Sequence, residues 1–325
     1  MKKKIIITGG TGFIGSHLCE LCVQKGFNVT SFDRYNTNYN LGNLGNSKYK
    51  KDINFIFGDI RDRDSVEKAI KGHDIILHLA ALVGIPYSYI SPLAYVRTNV
   101  EGTYNVLEAL KNSKTVSQAI ITSTSEVYGT AVKVPINEQH RLLGQSPYSA
   151  TKIAADNLAL SYFHSFDLPI KIIRPFNTFG PRQSHRALIP TIILQASSSN
   201  LVQLGNINTT RDFTYVKDTC NAFLELAKSN KLFGRPVNVG TNTELKTLDV
   251  ANTIIKLINP KAKVKISKFR SRPTASEVHR LVCNYNILKN NTKWRPKYSF
   301  KKGIKETIEW FNNNTKSIPH DKYYI

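Results

Sequence analysis

Residues 5–18 read IIITGGTGFIGSHL. Ile5, Ile6 and Ile7 are apolar without alternation, so both faces of the run seek burial, as in a strand inside a parallel sheet. Gly9, Gly12 and Gly15 then fall in a G-x-x-G-x-x-G turn, and the residues after Gly12 continue as the helical pattern FIGSHLCELCVQKG. Strand, glycine turn and helix in that order let a pyrophosphate approach backbone N–H groups at a helix N-terminus. This 14-residue stretch decides the fold.

Working outward, the same alternation repeats. Strand-like runs occur at Ile5–Thr8, Asn28–Phe32, Asn54–Phe57, Ile75–His78, Ala119–Ser123 and Ile170–Arg174. Amphipathic stretches near 13–25, 64–71, 93–111 and 148–166 separate them. Buried strands joined by crossover helices define an α/β protein with a Rossmann-type, doubly wound parallel sheet. After residue 175 the pattern loosens at RPFNTFGPRQSHRALIP. It resumes with helices near 188–198, 217–229, 247–258 and 301–313 and strands near 201–204 and 236–239. We therefore expect a first domain over 1–175 and a smaller, substrate-binding lobe over 176–325 that partly returns to the first. KSIPHDKYYI at the end reads as a surface tail.

The chain has 325 residues, 41% of them hydrophobic and 21% charged, which fits a globular protein of one large or two joined domains. No apolar run approaches the ~18 residues of a membrane span. MKKKIIITGG has a basic start but is too short for a signal peptide, so a cytoplasmic, reducing location is expected. Cys19 and Cys22 form C-x-x-C, but no second pair completes a zinc site, and inside a helical pattern they read as packing residues. No metal is expected. The net charge of +22 raises nucleic acid as a partner. The basic residues are scattered and no recognition motif accompanies them, so a solvated surface with a pull on small anions is the stronger reading.

Asp33 ends the second strand, 18 residues after Gly15, where a carboxylate accepts ribose hydroxyls and repels a 2′-phosphate. This favours NAD. The neighbouring Arg34 leaves NADP as the alternative. Phe13 and Ile14 lie in the same turn. Asp59 and Ile60 follow the third strand, and Leu79, Ala80 and Ala81 the fourth, where small residues let a dinucleotide pass. Asn99, in VRTNVEG, completes the expected cofactor set.

Tyr148 and Lys152 in SPYSATK stand at i and i+4, on one face of a helix. A lysine there lowers the phenol's pKa and anchors a cofactor ribose, so the tyrosine can take a proton from a sugar hydroxyl as hydride leaves. The strand Ala119–Ser123 runs into Thr124, Ser125 and Glu126, a polar cluster at a carboxyl end where ligands of such sheets bind.

Taken together, TGGTGFIG, HLAA, STSEVYG, YSATK and RPFNTFGPRQ resemble the extended short-chain dehydrogenase/reductase superfamily of sugar-nucleotide epimerases and dehydratases. HLAALVGIPYSYISP, GQSPYSATKIAAD, TRDFTYVKDT and RPTASEVHRL look most similar to the N-acetylglucosamine-nucleotide 4,6-dehydratases of legionaminic acid biosynthesis. The resemblance implies that Tyr148 and Lys152 are the Tyr/Lys pair and that Thr124 holds the sugar 4-OH. Ser125-Glu126 falls where glucose-type dehydratases carry Asp-Glu. Mannose-type dehydratases and nucleotide-uronate decarboxylases share the Thr-Ser-Glu form. Glu126 would then serve as base at C5 and afterwards as acid for the departing C6 hydroxyl.

On the substrate side the resemblance implies a nucleotide-diphosphate sugar. Asn177, Arg211 and Arg272 would hold the diphosphate and Glu277 the ribose. Leu188, Ile189 and Pro190 would wall the base pocket. Gly84, Pro86 and Tyr87 would shape the sugar pocket, and Ser88 would touch the hexose. Arg174 reads as structural and Tyr128 as packing. The family also implies a homodimer through an intermolecular four-helix bundle of helices 93–111 and 148–166. The rivals are a 4-epimerase, a uronate decarboxylase, and a non-enzymatic nucleotide-sensing or nucleic-acid-binding Rossmann protein.

Overall fold

The structure is a computed structural model that describes residues 2–315; the expected tail, 316–325, lies outside the described residues. In chain order the strands are β1 (Lys4–Thr8), β2 (Asn28–Arg34), β3 (Ile53–Gly58), β4 (Ile75–His78), β5 (Gln118–Thr122), β6 (Ile170–Pro175), β7 (Asn177–Phe179), β8 (Leu201–Leu204), β9 (Thr210–Arg211), β10 (Phe213–Tyr215), β11 (Pro236–Val239), β12 (Leu245–Lys246), β13 (Lys263–Ile266) and β14 (Arg280–Leu281). The helices are α1 (Phe13–Gln24), α2 (Arg63–Ile70), α3 (Ile85–Ile90), α4 (Pro92–Tyr95), α5 (Gly102–Asn112), α6 (Pro147–Phe166), α7 (Leu188–Ser198), α8 (Val216–Lys228), α9 (Thr247–Ile258), α10 (Asn286–Asn291) and α11 (Phe300–Asn314).

Seven strands form one parallel sheet in the order β11-β6-β5-β4-β1-β2-β3. The doubly wound α/β sheet expected from the sequence is present, and its order reverses between β1 and β4. The three isoleucines of β1 explain why it is central. Ile5 and Ile7 pack into the layer that contains Leu18 of α1 and Phe223 of α8, while Ile6 packs into the layer of Val66, Val106 and Leu107. All three are fully buried, each worth ~1.5–3 kcal/mol of apolar transfer.

The second half supplies three small sheets, β7 with β10, β8 with β13, and β9 between β12 and β14. Its strand β11 pairs in parallel with β6 at the edge of the main sheet. The stretch after residue 175 where the pattern loosens contains β7, a three-residue strand whose partner β10 lies 36 positions away. A strand that short has no periodicity to read.

The helix expected over 93–111 is broken. Between α4 and α5, residues Val96–Glu101 form a π-helical turn. Such wide turns cluster at functional sites because they re-aim side chains.

Candidate active site

One cavity of about 1420 Å³ runs along the carboxyl ends of the sheet strands, from the glycine turn to Glu277. Gly9 adopts φ +73°, a left-handed conformation that favours glycine, and Gly12 caps α1 without a side-chain hydrogen bond. The first N–H groups of α1 are therefore left for a ligand, and the helix dipole favours an anion there. A Cβ on Gly15 would sit 2.1 Å from the carbonyl of Gly9, so only glycine lets helix and turn pack this closely. Phe13 and Ile14 line the same end of the cavity.

Asp33 faces the cavity, but its carboxylate is already well held. One oxygen accepts from the Thr11 N–H at 3.0 Å and Oγ1 at 2.7 Å, and the other from Ser31 Oγ at 2.5 Å. Burial pushes its pKa up, and these donors oppose that shift. Of roughly four acceptor sites on a carboxylate, about one remains for a ligand hydroxyl. Arg34 and Ile60 also line the wall, while Asp59 is gripped by Arg61 through two bonds of 2.9 and 2.6 Å. Leu79, Ala80 and Ala81 form the opposite wall, their turn fixed by Thr8 Oγ1, which accepts from the Leu79 and Ala80 N–H groups.

α6 begins with a reciprocal cap. Ser146 Oγ accepts from Ser149 N–H, Ser149 Oγ accepts from Ser146 N–H, and Pro147 opens the helix. This start places Tyr148 in the first turn and Lys152 one turn later, both buried and both on the cavity wall. Lys152 Nζ donates to the carbonyl of Thr122 at the end of β5. Burial lowers its pKa to about 8, and the charge of Asp156 partly offsets that. Burial pushes the Tyr148 phenol up, a hydrogen bond with Thr124 pulls it down, and the nearby Glu126 pushes it up again.

β5 ends in a single 3₁₀ turn, Ser125–Tyr128. Thr124 caps it, its Oγ1 accepting from the Glu126 N–H at 3.2 Å, which turns Thr124, Ser125 and Glu126 toward the cavity. Glu126 is only 8% exposed. Arg272 Nη1 lies 3.8 Å from its Oε2 and 4.0 Å from Glu277 Oε1, and Arg211 Nη2 lies 3.7 Å from the same Glu277 oxygen. Arg211 and Arg272 were expected to serve a diphosphate. In this structure they and the two acids form one alternating charge cluster. Burial lowers the Arg211 pKa and Glu126 raises it.

Gly84, Pro86, Tyr87, Asn177, Leu188 and Ile189 also line the cavity. Asn177 Oδ1 is buried without a hydrogen-bond partner. Three expected residues fall elsewhere. Ser88 is fully buried and its hydroxyl donates to Ile85 O within α3, so the cavity sees its neighbours Tyr87 and Tyr89 instead. Pro190 is buried in α7 and does not line the cavity, although its neighbours Ile189 and Thr191 do. Asn99 is rotated inward by the π turn. Its amide bonds both the N–H and the carbonyl of Leu82 and the Thr151 hydroxyl, so it shapes the loop after β4 and leaves the wall to Thr98.

Other residues of the site were not singled out from the sequence. Gln183 lines the cavity with a buried, unpartnered Oε1 while its amide donates to Thr178 O. Its place in GPRQ was the available signal. Tyr89 and Gln145 both bond Ser276, tying α3 and the loop before α6 to the segment that carries Arg272 and Glu277. No local pattern announces that clamp. Cys19 and Cys22 are fully buried free thiols in α1, as packing residues would be. Among the described residues no helix is long and apolar enough to cross a membrane.

Comparison with known proteins agrees with this architecture. The model of the family described as GDP-mannose 4,6 dehydratase matches residues 6–307. The chain is 34% identical to a UDP-N-acetyl-alpha-D-glucosaminuronate decarboxylase of Bacillus cytotoxicus, over 96% of this chain and 98% of that one. It is 31% identical to human dTDP-D-glucose 4,6-dehydratase, over 96% and 91%. It spans about half the length of trifunctional Arabidopsis thaliana relatives that it also matches. Among solved structures, a UDP-glucuronic acid 4-epimerase of Bacillus cereus, in complex with UDP-glucuronic acid and NAD, superimposes with a TM-score of 0.88 at 28% identity, covering 95% of this chain and 99% of that one. With the sheet order, the glycine turn and the Tyr148/Lys152 pair in place, this chain belongs to the GDP-mannose 4,6 dehydratase family, within the extended short-chain dehydrogenase/reductase superfamily.

Proposed function

We propose that this protein is an NAD-dependent 4,6-dehydratase of a UDP- or GDP-linked N-acetylhexosamine, with N-acetylglucosamine as the sugar, forming the 4-keto-6-deoxy derivative for surface-glycan or nonulosonic acid synthesis. The observation that carries the reading is the position of Glu126. It shares one buried wall with Thr124, Tyr148 and Lys152. Proton abstraction next to a ketone needs a second base beside the Tyr/Lys pair, and simple inversion at C4 does not.

The glycine turn, the uncapped start of α1 and the small wall at Ala80 and Ala81 fit NAD. NAD bound there supplies a reversible hydride acceptor, so no net redox occurs. Thr124 orients the sugar 4-OH, and Tyr148, supported by Lys152, takes its proton. Glu126 removes the C5 proton, made acidic by the ketone at C4, and then protonates the leaving C6 hydroxyl. The hydride taken from C4 is given back at C6 and the proton held by Tyr148 is given back at C5, which completes the 4-keto-6-deoxy sugar. Ser125 provides no second acid, so one carboxylate serves both transfers. NADP is disfavoured by Asp33 at the end of β2.

A second reading is decarboxylation of a nucleotide-linked uronic acid. The Arg272 guanidinium beside Glu126 supports it, because it offers a cation to a carboxylate at C6. The decarboxylase relative supports it too. Both readings include a homodimer through 93–111 and 148–166. α5 and α6 pack side by side, and the first segment exposes Leu93, Val96 and Tyr104. Sedimentation of the purified protein tests the dimer. The mass of the product from each nucleotide sugar tests the reaction, loss of one water supporting dehydration.

A further inference from the structure

Asp156 stands on α6 one turn beyond Lys152 and two beyond Tyr148, and it is fully buried. Its Oδ2 accepts from Ser123 Oγ at 2.7 Å and from Arg174 at 3.0 Å (Nε) and 2.9 Å (Nη2). Its Oδ1 has no hydrogen-bond partner among the described residues. Ser123 immediately precedes Thr124. Arg174 Nη1 also donates to the Tyr128 hydroxyl at 3.0 Å, and Tyr128 sits two residues after Glu126 on the same turn. The Tyr128 hydroxyl in turn donates to Asn238 Oδ1 of β11 at 2.7 Å. One buried ion pair thus grips both flanks of the turn that carries Thr124, Ser125 and Glu126. It does so from the helix that carries Tyr148 and Lys152.

Packing alone does not call for this arrangement. A buried ion pair seldom stabilises more than apolar side chains of the same volume, and a buried carboxylate with one unbonded oxygen is costly. The cost has a local use. Lys152 is faced by Asp156 on its own helix and His78 on β4, Tyr148 by Glu126 on the 3₁₀ turn and Tyr95 on α4, and Asp156 by Arg174 on β6. His78 is neutral, with its pKa pushed to about 3 by burial and by Lys152, and Arg174 is engaged by the other Asp156 oxygen. Asp156 is the fully buried carboxylate whose charge favours the protonated lysine; burial pushes its own pKa up, and Arg174, Ser123 and Lys152 oppose that shift.

We propose that Asp156 is a positioning residue of the catalytic site: it fixes the Thr124–Glu126 turn against Tyr148 through Ser123 and Arg174, and its carboxylate, one helical turn from Lys152, favours the charged form of that lysine. The proposal rests on the reading of Tyr148 and Lys152 as the proton-transfer pair. Its first test needs no turnover. The Lys152 ammonium is titrated by NMR in protein carrying [15N]lysine, with the resonance assigned from Lys152→Arg. The expected result is that wild type titrates near 8, where burial pushes the lysine down. Asp156→Asn titrates lower by about one unit or more.

The second test is the pH dependence of turnover. Asp156→Asn moves the alkaline limb to lower pH, whereas Ser123→Ala, which keeps the charge, lowers the rate at every pH and leaves the limb in place. If Asp156→Asn does not fold because Arg174 is left unpaired, the double variant Asp156→Asn/Arg174→Met carries the same expectation. An unchanged Lys152 titration in either variant overturns the electrostatic role. Full activity of Ser123→Ala at every pH overturns the positioning of the turn. If wild type turns over no nucleotide sugar, the enzymatic reading fails while the titration still reports on Asp156.

Discussion

Arg272 Nη1 stands between two carboxylates, 3.8 Å from Glu126 and 4.0 Å from Glu277, and forms a hydrogen bond with neither. It joins the base proposed for C5 to the acid proposed for the nucleotide ribose, across the cavity that would hold the substrate. Arg272→Met leaves those two carboxylates without their shared cation. Breaking an exposed ion pair costs ~0.2–1 kcal/mol and a buried one ~3–5 kcal/mol, so for this partly buried pair a loss of about 1.5–3 kcal/mol is expected and kcat/KM falls about 10- to 100-fold. Steady-state kinetics on the nucleotide sugar checks this, and Arg272→Lys recovers part of the loss. An unchanged kcat/KM in Arg272→Met would remove Arg272 from the site.

Glu126→Gln separates the two halves of the reaction. The Tyr148, Lys152 and Thr124 constellation is untouched, so oxidation at C4 proceeds and absorbance of reduced cofactor builds up. No 6-deoxy product is released. Rapid-scan absorbance with product mass analysis reads both. Full dehydratase activity in this variant would mean that another group removes the C5 proton.

Lys152 makes the reaction sensitive to alkali. Its folded pKa of about 8 lies below the unfolded lysine value, so activity falls as pH rises through about 8 and the ammonium is lost. Stability moves the other way. Between about 8 and 10.4 the unfolded chain binds the extra proton, so the free energy of unfolding rises with pH in that window. Lys152→Met abolishes this increment along with turnover. Urea unfolding from pH 7 to 10 compares the two proteins, and equal slopes would contradict the assignment.

Gly15→Ala tests the glycine turn. The added methyl would lie 2.1 Å from the Gly9 carbonyl, so α1 must shift away from β1 and the first-turn N–H groups move with it. Bound nucleotide, measured by absorbance after denaturing the purified protein, falls below about a tenth of the wild-type content. A wild-type content would show that this turn does not hold the cofactor.

Much of this was legible in the sequence because its signals are local. Ile5–Ile7 announces a doubly buried strand, the glycines announce a turn, and Ser146-Pro147 fixes where α6 starts and so where Tyr148 and Lys152 point. The misplaced residues depend on side-chain direction. Ser88, Pro190 and Asn99 lie in the expected segments but turn inward, Asn99 because a π turn adds a residue that no periodicity reveals. The partners of Arg272 and Asp156 were hidden for another reason. Glu126 and Ser123 approach them only once β5 lies beside α6 and the segment carrying Arg272 and Glu277 reaches the strand ends.

The account turns on what happens at C5 and C6. Purified protein is incubated with UDP- and GDP-N-acetylglucosamine, without added cofactor, and the product is examined by mass spectrometry and NMR. The account predicts a nucleotide sugar lighter by one water, with a ketone at C4 and a methyl group at C6. An unchanged mass with inverted configuration at C4, or turnover confined to a uronic acid with loss of carbon dioxide, would contradict it.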